Sequence, residues 1–226
     1  MSQYLAQVQA IIAKDLLLEL RTRERLVSMG AFAVLAAVLF NYSIDRALVR
    51  PQDIAAGLIW MTIVFGGLLG LGRTFHLDSE AGALQGILLS PVPMDAVFLG
   101  KALSNFVLLY LVALLVVGVF MLFFGLELGG NPGALALVLG LGALGFVALG
   151  TLFTAVSSGT RMGETLLPIL VFPLLVPVVI YGAGATSRLL SGRPVSEIAG
   201  NIRMLAAFAL VALVTGATLF RFVVED

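Results

Sequence analysis

Six long apolar runs decide what this chain can become. They fall at about 26–43, 54–72, 97–124, 134–157, 164–183 and 203–223. Each is near the roughly 20 residues that a helix needs to cross a 30 Å hydrocarbon core. Inside lipid a backbone must satisfy its own hydrogen bonds, and a helix does so within one segment. Composition agrees: 60% of the 226 residues are hydrophobic and only 12% are charged. Ordinary soluble domains are nearer half apolar and a quarter charged. The expectation is an all-α integral membrane protein, with one transmembrane domain over residues 1–226 and no soluble domain.

Ahead of the first run, residues 3–20 read as an amphipathic helix. Leu5, Val8, Ile12 and Leu16 recur at helical spacing, with Tyr4 and Ile11 on the same side. Gln3, Gln7, Lys14 and Glu19 fall elsewhere. Such a helix lies along the membrane surface or packs on a partner, and periodicity leaves the two open. Arg21, Arg23 and Arg25 follow, so residues 1–25 form the predicted interfacial element. The start does not read as a cleavable signal, because the first long apolar run begins only near Leu26.

Lys and Arg counts orient the spans. With the amino terminus in the cytoplasm, the inner side holds Lys14, Arg21, Arg23, Arg25, Arg73, Lys101, Arg161 and Arg221. The outer side holds Arg46, Arg50, Arg188, Arg193 and Arg203. Both termini are then cytoplasmic. The longest inner connection is about 73–96. The longest outer one is about 184–202, where Pro194, Ser196 and Glu197 suggest a helix start.

Chemistry-bearing motifs are sparse. The middle of each predicted span lacks ionisable side chains, which speaks against a proton pump or a charged ion filter. Zero net charge gives no reason to expect nucleic acid, and zero cysteines excludes thiolate metal sites on this chain. His76 is the sole histidine, too few for a bis-imidazole haem or a zinc site, and reads as a loop residue. Trp60 reads as a packing or interfacial aromatic. Val156-Ser157-Ser158-Gly159 lacks a base within reach and reads as a polar helix end. Gly100-Lys101 is not a phosphate loop, because Asp95 and Ala102 stand where glycine and Ser or Thr are required. No catalytic, cofactor or metal residues are expected, and the chain is not read as an enzyme.

Two patterns concern packing. Gly66 and Gly70, then Gly140, Gly142, Gly145 and Gly150, let helices approach closely. Pro168, Pro173 and Pro177 punctuate the fifth span, each removing a backbone hydrogen bond. That helix is expected to be kinked and to face protein or a cavity. It is either a hinge or pathway helix, or a static kink that suits packing.

The inner connection carries a short one-sided helix signal, with Leu84, Ile87 and Leu88 on one face, acids before it and Pro91 after it. It either meets a soluble partner or lies flat on the headgroups. Glu80, Gly82, Leu84, Leu88, Leu89 and Pro91, followed by Gly100 and Lys101, resemble the loop between spans two and three of type-2 ABC exporter permeases. The resemblance implies that this loop contacts a separate ATPase subunit.

A broader resemblance, over nearly the whole chain, is to the haem exporter protein B (CcmB) family of cytochrome c maturation permeases. It is carried by Lys14-Asp15-Leu16, Glu19-Leu20-Arg21 and Arg23, and by Leu39-Phe40-Asn41. Gly57-Leu58-Ile59-Trp60, Gly66 to Leu71, the three prolines and the Glu225-Asp226 end add to it. It implies a bacterial inner-membrane permease, a homodimer working with an ABC ATPase subunit and two other membrane subunits. It also implies a periplasmic haem chaperone, haem as cargo of the complex, and ATP on the partner. Either this chain moves haem, or it transmits ATP-driven motion that releases the loaded chaperone; the lack of haem ligands favours the second. Other readings are an ABC permease for a lipid, polysaccharide or drug, and a non-transporting membrane scaffold.

Overall fold

The computed structural model describes residues 2–45, 47–72, 92–127, 131–158 and 163–224. Its helices are α1 (Ser2–Thr22), α2 (Glu24–Ser43), α3 (Pro51–Leu71), α4 (Met94–Phe124), α5 (Pro132–Ser158), α6 (Gly163–Leu190) and α7 (Ala199–Val224). A short 3-10 turn, Val195–Ile198, precedes α7 after Pro194. Among the described residues, six helices are long and apolar enough to cross a membrane. They correspond one to one with the six predicted runs.

Burial sorts the bundle. Within their spans α3 and α5 are each 67% buried, whereas α2, α6 and α7 are 22–28% buried. So α3 and α5 form the centre and the others the rim, where Leu35, Leu39, Leu210 and Val211 are exposed. Leucine and valine outward is what a lipid solvent favours. α4 belongs to both zones, touching α1, α2, α3, α5 and α7.

Trp60 holds the centre. It is 1% exposed, and its indole N–H donates to Thr186 Oγ1 at 2.9 Å. Gly142 of α5 and Gly182 of α6 lie against its ring, and a Cβ at either position would collide with it. Both glycines therefore make room for the indole, and Trp60 is a packing residue rather than an interfacial one.

Two boundaries move outward from their predicted places. α6 continues to Leu190 instead of stopping near 183, because Ala185, Thr186, Leu189 and Leu190 are all buried. α7 begins at Ala199 rather than 203. The predicted outer loop thus shrinks to a few residues. α6 is one continuous helix through Pro168, Pro173 and Pro177. Leu167, Val171, Leu175 and Val178 form its buried edge, while Ile169, Val176 and Ile180 are exposed. Beside it, an apolar groove of about 240 Å³ opens between α3 and α6, lined by Met61, Phe65, Phe172, Val176 and Ile180 among others.

Candidate coupling site at the amino-terminal end of the bundle

α1 packs lengthwise on the first turns of α4. Tyr4 donates its hydroxyl to Asp95 Oδ2 at 3.0 Å. One turn further, Gly100 lets α4 approach Ile11; a Cβ there would stand 2.7 Å from the Ile11 side chain. Next, Asp15 Oδ2 accepts from Lys101 Nζ at 3.5 Å and lies 3.2 Å from Ser104 Oγ. Asp15 Oδ1 meets Lys14 Nζ at 3.0 Å. The contacts advance together along both helices, so α1 runs parallel to α4. Within the chain, α1 thus packs on α4.

Glu19 completes the junction. Its Oε1 accepts the Leu26 backbone N–H at 2.9 Å, and its Oε2 accepts Arg25 Nε at 2.8 Å. Leu26 is in the first turn of α2, where N–H groups lack helical partners and a carboxylate is favoured. Glu19 therefore caps α2 from the preceding helix. Arg25 also donates to Asn105 Oδ1 at 3.0 Å, and the Asn105 amide donates to Thr151 Oγ1 of α5 at 3.1 Å. Four helices meet in one polar chain. Between α1 and α2, Arg23 takes the left-handed conformation, φ 55° and ψ 10°. For a residue with a Cβ that costs about 1–2 kcal/mol, which the bonds of Glu19 offset.

The charges are deeply placed. Asp15, Glu19, Arg25 and Lys101 are all buried, Lys101 to 1% exposure. Among the described residues, no buried side-chain nitrogen or oxygen lacks a hydrogen-bond partner. A buried charge is tolerated when it is paired and bonded this way. α4 has 31 residues, or about 46 Å of helix at 1.5 Å per residue. That exceeds a core of about 30 Å, so one or both ends of α4 extend beyond it. The network lies along the first turns of α4, at one end of the bundle.

Several expectations need correction. Lys101, counted among the inner-side charges, is buried within α4 and paired with Asp15. Arg25 likewise is buried rather than part of an open basic cluster. Glu19 faces inward, beside Asp15, while Leu5, Leu17 and Leu20 face outward. Sequence reasoning missed Arg25, Ser104, Asn105, Thr151 and the Tyr4–Asp95 contact. The available signal was spacing: Asp15 and Glu19 are four apart, as are Lys101 and Asn105, so each pair shares a helix face.

Other predicted residues fall as follows. Lys14, Arg21 and Arg23 are exposed on α1 and its junction. Glu80, Gly82, Leu84, Leu88, Leu89 and Pro91 lie outside the described residues, as does His76. Ser157 is buried and donates to the Thr154 carbonyl at 3.0 Å, a polar helix end as expected. Among the described residues, no three His, Cys, Asp or Glu side chains gather as a metal site.

Tyr4 has a displaced titration. Burial raises its pKa above the ordinary 10.0, and the hydrogen bond to Asp95 and the Asp95 charge push the same way.

A six-span helical bundle whose buried charges, among the described residues, gather at one end defines a multi-pass membrane protein. The family described as CcmB protein matches residues 6–223, and the chain belongs to that family. Its relatives include Heme exporter protein B of Rhodobacter capsulatus, 31% identical over 94% of this chain and 98% of the relative. Heme exporter protein B of Pseudomonas aeruginosa is 30% identical over 90% and 89%. That of Escherichia coli K12 is 33% identical over 68% and 70%.

Proposed function

We propose that this chain is the membrane permease subunit of a haem-exporting ABC system that serves cytochrome c maturation. One observation carries the reading: family membership over nearly the whole length, together with the six-span architecture. Gly100-Lys101 supports the assignment of ATP hydrolysis to a separate subunit. Lys101 is consumed by a buried ion pair and cannot cradle phosphate.

In this reading the ATPase docks at the end of the bundle that holds α1 and the start of α4, contacting the segment with Glu80, Gly82, Leu84, Leu88, Leu89 and Pro91. That end faces the cytoplasm of a bacterial inner membrane, and both termini lie there. Other membrane subunits and a periplasmic haem chaperone complete the assembly, with haem as cargo of the complex. α6 faces a second copy of the chain. Pro173 and Pro177 cannot donate to the carbonyls of Ile169 and Pro173. Freed carbonyls on an exposed apolar stripe are costly against lipid and favour a protein neighbour.

The test is deletion and complementation, read by covalent haem staining of c-type cytochromes. Loss of staining on deletion, restored by the wild-type chain but not by Glu80 or Gly82 variants, is expected. Normal cytochrome maturation in the deletion strain would remove the haem reading and leave an exporter of another cargo.

A further inference from the structure

We infer that α1 and the opening turns of α4 form one rigid strut, with Asp15, Lys101, Glu19 and Arg25 as the positioning residues that fasten it. The inference rests on the proposed function only for what the strut transmits.

Its geometry stands by itself. The two helices are joined at three successive levels: Tyr4 to Asp95, Ile11 against Gly100, and Asp15 to Lys101 and Ser104. At the fourth level Glu19 reaches α4 through Arg25 and Asn105. An amphipathic helix resting on a membrane would slide and roll on its leucines. Here the inner face carries two acids, each bound to a buried base, so any slide strips a charge of its partner in a poorly hydrated place. Gly100 removes the slack, since the backbone of α4 is in contact with Ile11. α1 itself has little contact with α2. The left-handed Arg23 is therefore the joint, and Glu19 ties α1 to α2 across it. Motion reaching the start of α4 carries α1 along, and α2 receives it at Arg25.

The experiment uses the whole complex in nanodiscs. The chain has no natural cysteine, so Tyr4→Cys with Asp95→Cys gives one defined pair. A reducible thiol cross-linker long enough to replace the tyrosine side chain joins them. Cross-linking yield should be the same without nucleotide, with ATP and with vanadate. ATP turnover should survive the cross-link to within about twofold, since a strut already closed loses nothing by a further tie. Turnover that stops on cross-linking and returns on reduction, or a yield that collapses in one nucleotide state, would show α1 swinging freely and overturn the inference.

Charge exchange gives the second arm. Asp15→Lys and Lys101→Asp singly should lower mature c-type cytochrome by about tenfold or more, and the double exchange should recover most of it. Singles that mature cytochrome normally would refute the fastening role. Where a single variant fails to reach the membrane, the cross-link decides. Failure of the wild-type chain to complement a deletion bears on the proposed function alone, because the Tyr4–Asp95 cross-linking yield without nucleotide is read without it, and the exchange variants are then compared by that yield.

Discussion

Trp60 and Lys101 are equally buried, each 1% exposed, yet the helices around them are held by opposite chemistry. Around Trp60 the contacts are shape: an indole against two glycines, with a single hydrogen bond to Thr186. Around Lys101 they are charge: Asp15 with Lys101, and one turn on Glu19 with Arg25 and the Asn105 amide. Depth explains the difference. Trp60 lies about 14 Å along α3 from its start, well within the apolar zone, where an ion pair bears its full desolvation cost. Lys101 is near the start of the 31-residue α4, and a helix longer than the hydrocarbon core reaches hydrated ground at its ends. The bundle interior is specified by volume and its rim by valence.

The contrast is broken first at the rim. Arg25→Ala leaves Glu19 buried with only the Leu26 N–H and removes the donor to Asn105. The expected loss is about 3–5 kcal/mol, read by thermal unfolding of the purified protein. A loss below about 1 kcal/mol would mark an ordinary solvated pair and erase the distinction from Trp60. At the centre, Gly142→Val drives a side chain into the indole, at an expected cost of about 2–3 kcal/mol. Pairing it with Trp60→Leu should recover part of that cost, because the two positions share one space. Additive losses would mean that the glycine answers to something other than Trp60.

Smaller changes sharpen the comparison. Trp60→Phe retains an aromatic ring but leaves the buried Thr186 hydroxyl without its donor, an expected loss of about 1–2 kcal/mol. Tyr4→Phe removes one half-buried bond to a carboxylate and should cost about 1 kcal/mol or less. Its pH signature is one-sided. The folded pKa of Tyr4 is raised, so its contribution is fully present below pH 10 and is lost only as pH rises through the higher folded value. Loss of the α1–α4 contact on mild acidification could not then be assigned to Tyr4. Proximity measurements between labelled α1 and α4 across alkaline pH would check this.

Much of this fold was legible in the apolar runs, and the reason is the solvent. A lipid core demands long helices of nearly fixed length, so hydropathy alone places six spans within a few residues. It fails where packing outruns hydropathy. α6 extends past Gly182, Gly184 and Ser187, a small and weakly apolar stretch, because Leu189 and Leu190 still find cover. It fails again at Lys101. A lysine after glycine at a helix start reads as an exposed boundary residue, and nothing local reveals Asp15, 86 residues away in sequence. Glu19 misled in the same way: a charge on an amphipathic helix is normally turned to water, and this one is turned to Arg25.

What the linear chain determined unaided is its solvent, its span number and its family, because these follow from composition, run length and motif. Which charges face inward was decided only when α1 lay down on α4. An ion pair needs two atoms within a few ångströms, and one helix period cannot say what the opposite helix presents. The tertiary structure supplied that second face at Lys101 and Arg25, and with it the strut at one end of the bundle.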